Sequence, residues 1–123
     1  VNIILLGCPI TKKNHQKIVT MGKRMGLVQS DAYRQYEEDC LWQLSPRHKQ
    51  GIDWPVNVKC VYFMQTRRRV DLVNLLEATN DILVKGGVLA DDNSSIVVGH
   101  DGSRVLYDKL NPRVEIDITK QEE

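Results

Sequence analysis

Residues 56–65 alternate in character. Val56, Val58, Cys60, Tyr62 and Met64 fall on one side, and Asn57, Lys59, Val61 and Phe63 on the other. A period of two, rich in β-branched and aromatic residues, predicts a strand with one buried face and one mixed face. Residues 113–119 carry the same signature, with Val114, Ile116 and Ile118 set against Arg113, Glu115 and Asp117. Shorter apolar runs at 2–7 and 95–99 predict two further strands. The period lengthens to that of a helix in two places. Tyr33, Tyr36, Cys40, Leu41 and Leu44 form a stripe over 31–44, entered through Ser30 as N-cap. Leu72, Leu75, Leu76, Thr79, Ile82 and Leu83 form another over 71–85, stopped by Gly86-Gly87.

Between these elements lie a polar, basic segment at 11–17, a basic loop or hairpin at 20–29 and a Pro/Gly-punctuated loop at 45–55. Asp101-Gly102 is a type I′ hairpin signal, which makes 103–107 a candidate return strand for 95–99. The tail 120–123 is expected to fray. The definite elements follow the order β-α-β-α-β-β. That order predicts an α+β fold, a two-layer α/β sandwich in which two helices cover one face of a mixed β-sheet. The 123 residues suit one domain spanning 1–123.

Composition removes several classes. No apolar run approaches the roughly 20 residues that span a bilayer, so no membrane association is expected. Residues 1–7 are apolar but too short, and without the basic lead-in, for a signal peptide. Cys8, Cys40 and Cys60 lack metal-ligand spacing and are expected to be free thiols of a cytoplasmic protein. The Gly22-x-x-x-Gly26 segment lacks the Lys-Ser/Thr of a P-loop, and no nucleotide cofactor is expected. Trp42 and Trp54 are expected in the core or at a subunit contact.

Charge adds a direction. The net charge is only +1, yet residues 1–69 hold 12 Lys/Arg against 5 Asp/Glu, and residues 70–123 hold 5 against 11. Such asymmetry fits a polyanion-binding face beside a cation-binding one, and it also fits plain solvated surface. The sharpest local feature is Arg67-Arg68-Arg69-Val70-Asp71, followed about twenty residues on by Asp91-Asp92. Guanidinium groups suit phosphate oxygens, and carboxylates suit a hard divalent metal. Asp71, Glu77, Asp81, Asp91 and Asp92 are the carboxylates available, and Asn74, Glu77 and Asp81 share one helical flank. Spacing alone leaves plainer roles open: Asp71 as a helix N-cap, 91–94 as a turn, Glu77 and Asp81 as a wet helix face.

The pattern Arg-Arg-x-Asp-Leu-x-Asn, then an apolar helix, then Gly-Val-Leu-x-Asp-Asp-Asn-x-x-Ile, resembles the RusA family of Holliday-junction resolvases, mostly bacterial and prophage enzymes. Here it runs through Arg67–Arg69, Asp71-Leu72, Asn74-Leu75, Asp81 and Gly87–Ile96, and Pro9-Ile10-Thr11-Lys12-Lys13-Asn14 resembles the family's N-terminal Pro-x-x-Lys-Lys-Asn. The resemblance implies a homodimeric, Mg²⁺-dependent endonuclease, with Mn²⁺ as a substitute, that nicks opposed strands of a four-way DNA junction in recombination and repair. It matches Asp71 to the family's first catalytic Asp, Asp92 to its last and Asp91 to the acidic neighbour. Two positions depart: Val73 stands where the family has Asp, and Glu77 where it has a catalytic Lys. Glu77, with Asp81 a turn beyond, is then the candidate replacement ligand. The alternative is a catalytically degenerate junction-binding protein on the same fold. Expected DNA contacts are Arg67, Arg68, Arg69, Asn74, Lys12, Lys13, Asn14, Lys17, Lys23 and Arg24.

Overall fold

The computed structural model describes residues 1–12, 16–21, 24–29 and 31–121. Ser30, Lys13, Asn14 and Lys23, singled out by the sequence, lie outside them, as do the side chains of Lys17 and Arg24. The strands are β1 (Asn2–Leu6), β2 (Gln16–Met21), β3 (Arg24–Gln29), β4 (Val56–Met64), β5 (Val97–Gly99), β6 (Arg104–Tyr107) and β7 (Arg113–Lys120); the helices are α1 (Asp31–Gln43) and α2 (Leu72–Lys85). The fold is α+β, with a five-stranded mixed sheet. Its order is β1-β7-β4-β5, with β6 also on β4, and β2 and β3 form a separate two-stranded antiparallel sheet.

The alternation read from the sequence sets the sheet. β7 lies antiparallel to both β1 and β4, aligning Ile116 with Ile3 and with Cys60. Their inward residues Ile3, Leu5, Val58, Cys60, Tyr62, Val114 and Ile116 are all buried. Both helices bury their stripes in this same core: Tyr33, Tyr36 and Cys40 from α1, and Leu75, Ala78, Ile82 and Leu83 from α2. The opposite face stays open, with Ile4 and Leu6 exposed. Gln43 at the end of α1 accepts from Leu6 N and donates to Leu6 O, at 2.6 and 2.9 Å, securing β1 against the helix.

Helix α2 is pinned by a buried contact, Tyr62 Oη to Thr79 Oγ1 at 2.7 Å, and Thr79 donates onward to Leu75 O at 3.0 Å. Gly86 lets the chain at the end of α1 approach the C-terminus of α2, because a Cβ there would collide with the Leu44 side chain. The chain then reverses. Gly87 takes φ +78°, Val88 N donates to Leu83 O at 2.9 Å and Gly87 N to Val84 O at 3.1 Å. That pairing is a Schellman stop, and the left-handed residue it needs is the glycine. Val88 and Leu89 dive into the core, and Ala90 N bonds Ile52 O at 2.8 Å, which fixes where Asp91-Asp92 emerge.

The predicted hairpin between 95–99 and 103–107 is not formed. β5 and β6 both run parallel to β4, at Val56–Asn57 and at Val61–Met64, so they are successive pieces along one edge. Only Gly102 has positive φ at the turn between them (+87°), and Ser103 N bonds His100 O at 3.1 Å. A type I′ turn needs positive φ at both central residues, and Asp101 does not supply it. Trp42, expected in the core or at a contact, is 82% exposed. Among the described residues no helix is long and apolar enough to cross a membrane.

Candidate nucleic-acid and metal site

Strand β4 ends at Met64, and residues 65–71 carry the chain from the sheet to α2. Val70 and Leu72 pack on the core and anchor this crossing. Arg67, Arg68 and Arg69 are left exposed, and among the described residues no carboxylate pairs with any of them. Three unneutralised guanidinium groups in succession keep their donors available for phosphate oxygens. Arg67 is nonetheless oriented, its Cζ 4.3 Å from the centroid of the Tyr107 ring.

Asp71 closes the crossing as the N-cap of α2. Its backbone is extended, at φ −88° and ψ 116°, and its Oδ1 accepts from Val73 N at 3.0 Å. The cap satisfies one otherwise orphaned donor of the first helical turn. Asp71 is exposed, as is Val73 at 68%. Further along the flank Asn74 is half-buried, Glu77 is exposed, and Asp81 is half-buried in an ion pair with Lys12 Nζ. That ion pair ties the basic N-terminal segment to α2.

Asp91 and Asp92 occupy an exposed turn. Asp91 Oδ1 accepts from Asp92 N at 2.7 Å, and Oδ2 from Asn93 Nδ2 at 3.0 Å. The backbone donor of Asp92, then the Asn93 amide and a smaller contribution from the Asp92 side chain, hold the Asp91 carboxyl below the usual carboxylate range. Asn93 in turn accepts from Ser95 N at 2.9 Å, and its carbonyl takes Ile96 N and Val97 N at 3.0 and 2.9 Å, handing the chain to β5. Asp91 therefore organises the turn, and Asp92 stands beside it. His100 is a structural tie, its Nδ1 2.8 Å from Val58 O and its Nε2 3.2 Å from Asn80 Nδ2.

The five carboxylates are not gathered into a cage. Among the described residues no three His, Cys, Asp or Glu side chains are placed to hold one metal ion together. The donor chemistry still suits a hard cation of low protein-ligand number. Mg²⁺ is commonly held by one or two carboxylates, with water and substrate phosphate completing its shell. Asp71, Glu77 and Asp92 are exposed and in no ion pair among the described residues. Asp81 is neutralised by Lys12, and both oxygens of Asp91 are engaged in its turn. Sequence reasoning had no signal for two pairings seen here, Lys12 with Asp81 and Arg67 with Tyr107, because each joins distant segments.

Fold and surface together define a small α+β domain. It carries a run of arginines, unpaired among the described residues, into a capped helix, with a second acidic turn beyond that helix. The chain belongs to the family Endodeoxyribonuclease RusA, which it matches over residues 7–119. It is also similar to the crossover junction endodeoxyribonuclease RusA of Aquifex aeolicus (strain VF5), with 30% identity over 59 residues, 47% of this chain and 47% of that protein. The aligned part thus spans about half the length of that relative.

Proposed function

We infer that this protein is an endodeoxyribonuclease that resolves four-way DNA junctions. The observation that carries the reading is the run of unpaired Arg67–Arg69 leading directly to Asp71, in a chain of this family. The arginines bind the backbone of a junction arm and hold a phosphate over the first turn of α2. The helix N-terminus adds partial positive charge to the same place. Asn74, half-buried on that flank, is a neutral donor for a neighbouring phosphate oxygen. Asp71 and Asp92 would hold Mg²⁺, with Mn²⁺ as a substitute. Such an ion, when bound, would activate water as the nucleophile and offset charge on the leaving oxygen. Asp91 keeps Asp92 in position through its turn, and Glu77 is the remaining acidic group on the flank. Two copies related by a two-fold axis would match a two-fold junction and place one nick on each opposed strand, so the active species is a homodimer. Its place is the cytoplasm, in recombination and repair of DNA.

One observation favours a second reading. Val73 is solvent-facing on the first turn of α2, where the resembling family carries an aspartate. A valine holds no metal, and the alternative is a junction-binding protein that does not cut.

One experiment separates the two. A synthetic four-way junction and a matched linear duplex are incubated with the protein in Mg²⁺, Mn²⁺, Co²⁺ or EDTA, and products are resolved on native and denaturing gels. The nuclease reading expects paired nicks that yield linear duplexes, only with metal and only from the junction. Salt-sensitive junction binding with no cleavage in any of the three metals would establish the degenerate reading instead. Light scattering of the free protein tests the dimer.

A further inference from the structure

Strand β6 is an unusual edge. Its residues Arg104–Tyr107 are all exposed, and three of them are large and apolar: Val105 at 36%, Leu106 at 43% and Tyr107 at 39%. Among the described residues it pairs on one side only, with the last four residues of β4, so that Tyr107 stands opposite Met64. Asp108 N donates to Met64 O at 2.9 Å and fixes that end of the strand. Soluble proteins usually blunt such edges with charge or proline, and an apolar one signals a surface that is used.

Between this edge and the crossing to α2 lies a shallow cavity of about 340 Å³, lined by Met64, Thr66, Arg67, Arg68, Leu106 and Tyr107 among others. One wall is cationic and hydrogen-bonding, and the rest is apolar with one aromatic ring. Arg67 lies over the Tyr107 ring and so bridges the two walls. Arg67 is four residues before Asp71, which keeps their Cα atoms within about 15 Å of each other. The pairing of charge, apolar floor and a partly exposed ring matches a single nucleotide: phosphate on Arg68, base against the stacked Arg67–Tyr107 pair.

We propose that Tyr107, with Arg67 and Arg68, forms a stacking pocket for one unpaired nucleotide at the branch point of the DNA. The proposal rests on the junction-binding reading. In linear duplex every base is stacked on both sides and offers no face to the ring. At a branch point, or in a single strand, a base can leave the stack and does. The pocket therefore discriminates branched and single-stranded DNA from duplex, next to the candidate cleavage site.

The test is fluorescence anisotropy with three labelled DNAs: a four-way junction, a single-stranded oligo-dT and a linear duplex. Wild type, Tyr107→Ala and Tyr107→Phe are compared, with circular dichroism melts to confirm folding and sedimentation to report subunit state. Loss of one base–aromatic stack corresponds to about 5- to 140-fold weaker binding. Tyr107→Ala is expected to lose that much affinity for junction and oligo-dT, with a clearly smaller loss on duplex from the freed Arg67. Tyr107→Phe, which keeps the ring face, is expected to behave as wild type. Equal losses on all three DNAs, or none on any, would overturn the pocket. So would a Tyr107→Ala protein that falls from dimer to monomer, which would make β6 a subunit contact. Failure of the underlying reading looks different. A wild type that does not prefer junction to duplex removes the resolvase function, while a Tyr107-dependent oligo-dT signal would still support the pocket.

Discussion

Asp71 has two separable jobs, and substitution at this position tells them apart. Its side chain caps α2 by accepting from Val73 N at 3.0 Å, and its charge follows within four residues of three arginines that are unpaired among the described residues. Replacing a capping Asp by Ala costs about 1 kcal/mol, and losing a negative charge at a helix N-terminus about 0.5 kcal/mol more. Unfolding entropy of roughly 2.1 cal/mol/K per residue gives about 260 cal/mol/K for the 123 residues, so Asp71→Ala is expected to lower Tm by about 6 °C. Asp71→Asn keeps a capping oxygen and loses only the charge effect, a fall of about 2 °C. Activity should divide the two differently: both variants lack the carboxylate, and both are expected to lose junction nicking. Thermal melts by circular dichroism are set beside nicking of a four-way junction in Mg²⁺. If Asp71→Asn nicks at the wild-type rate, the carboxylate does no chemistry and Asp71 is a cap alone. If Asp71→Ala and Asp71→Asn melt together, the capping bond contributes nothing measurable and the local account of α2 is wrong.

Asp92→Asn is expected to abolish Mg²⁺-dependent nicking with junction affinity unchanged in gel shift; cutting at the wild-type rate would remove Asp92 from the site. Glu77→Gln is expected to slow nicking about tenfold at limiting Mg²⁺, the usual scale for a residue that supports a metal, and an unchanged rate would return Glu77 to the solvated face. Val73→Asp should fold at least as well as wild type, because the side chain faces solvent and an acid in the first helical turn gains about 0.3–1 kcal/mol. Raised nicking would mark the native site as short of a carboxylate, and a lowered Tm would contradict the exposed placement. Burial pushes the thiol of Cys40 up to about 11 and that of Cys60 up to about 12, so at pH 8 both stay protonated. Ellman's reagent is then expected to titrate the partly exposed Cys8 alone in the native protein and all three cysteines in guanidinium; fast reaction of a second thiol before unfolding would refute the packing around Cys40 and Cys60.

What the sequence carried, and what it could not, divides along sequence separation. The alternation of 56–64 and 113–119 placed β4 and β7 because period two and one-sided burial are the same fact seen twice. The bounds of α2 were legible because its stop, Gly86-Gly87, is chemistry of adjacent residues. The hairpin expectation at 101–102 failed for the complementary reason. A two-residue turn signal competes with the pairing that neighbouring strands can reach, and β4 offered β5 and β6 one continuous edge. The site divides in the same way. That Asp71 can cap, and that Asp91 can fold a turn, are local properties visible in the spacing. That Asp81 is neutralised by Lys12, 69 residues away, is not. This ion pair bears on Glu77 in particular. With Asp81 paired and Val73 apolar, the flank of α2 beyond Asp71 keeps one exposed, unpaired carboxylate among the described residues, and it is Glu77. Any recruitment of a metal ligand from that flank therefore has to run through Glu77, or else require the Lys12–Asp81 pair to open when DNA arrives. The second route makes a distinct demand: Lys12 would release Asp81 only if a phosphate took its place. DNA binding and metal binding would then be coupled at one lysine, and the metal affinity of free protein would differ from that of the DNA complex by the strength of that ion pair on top of the phosphate ligation the DNA supplies.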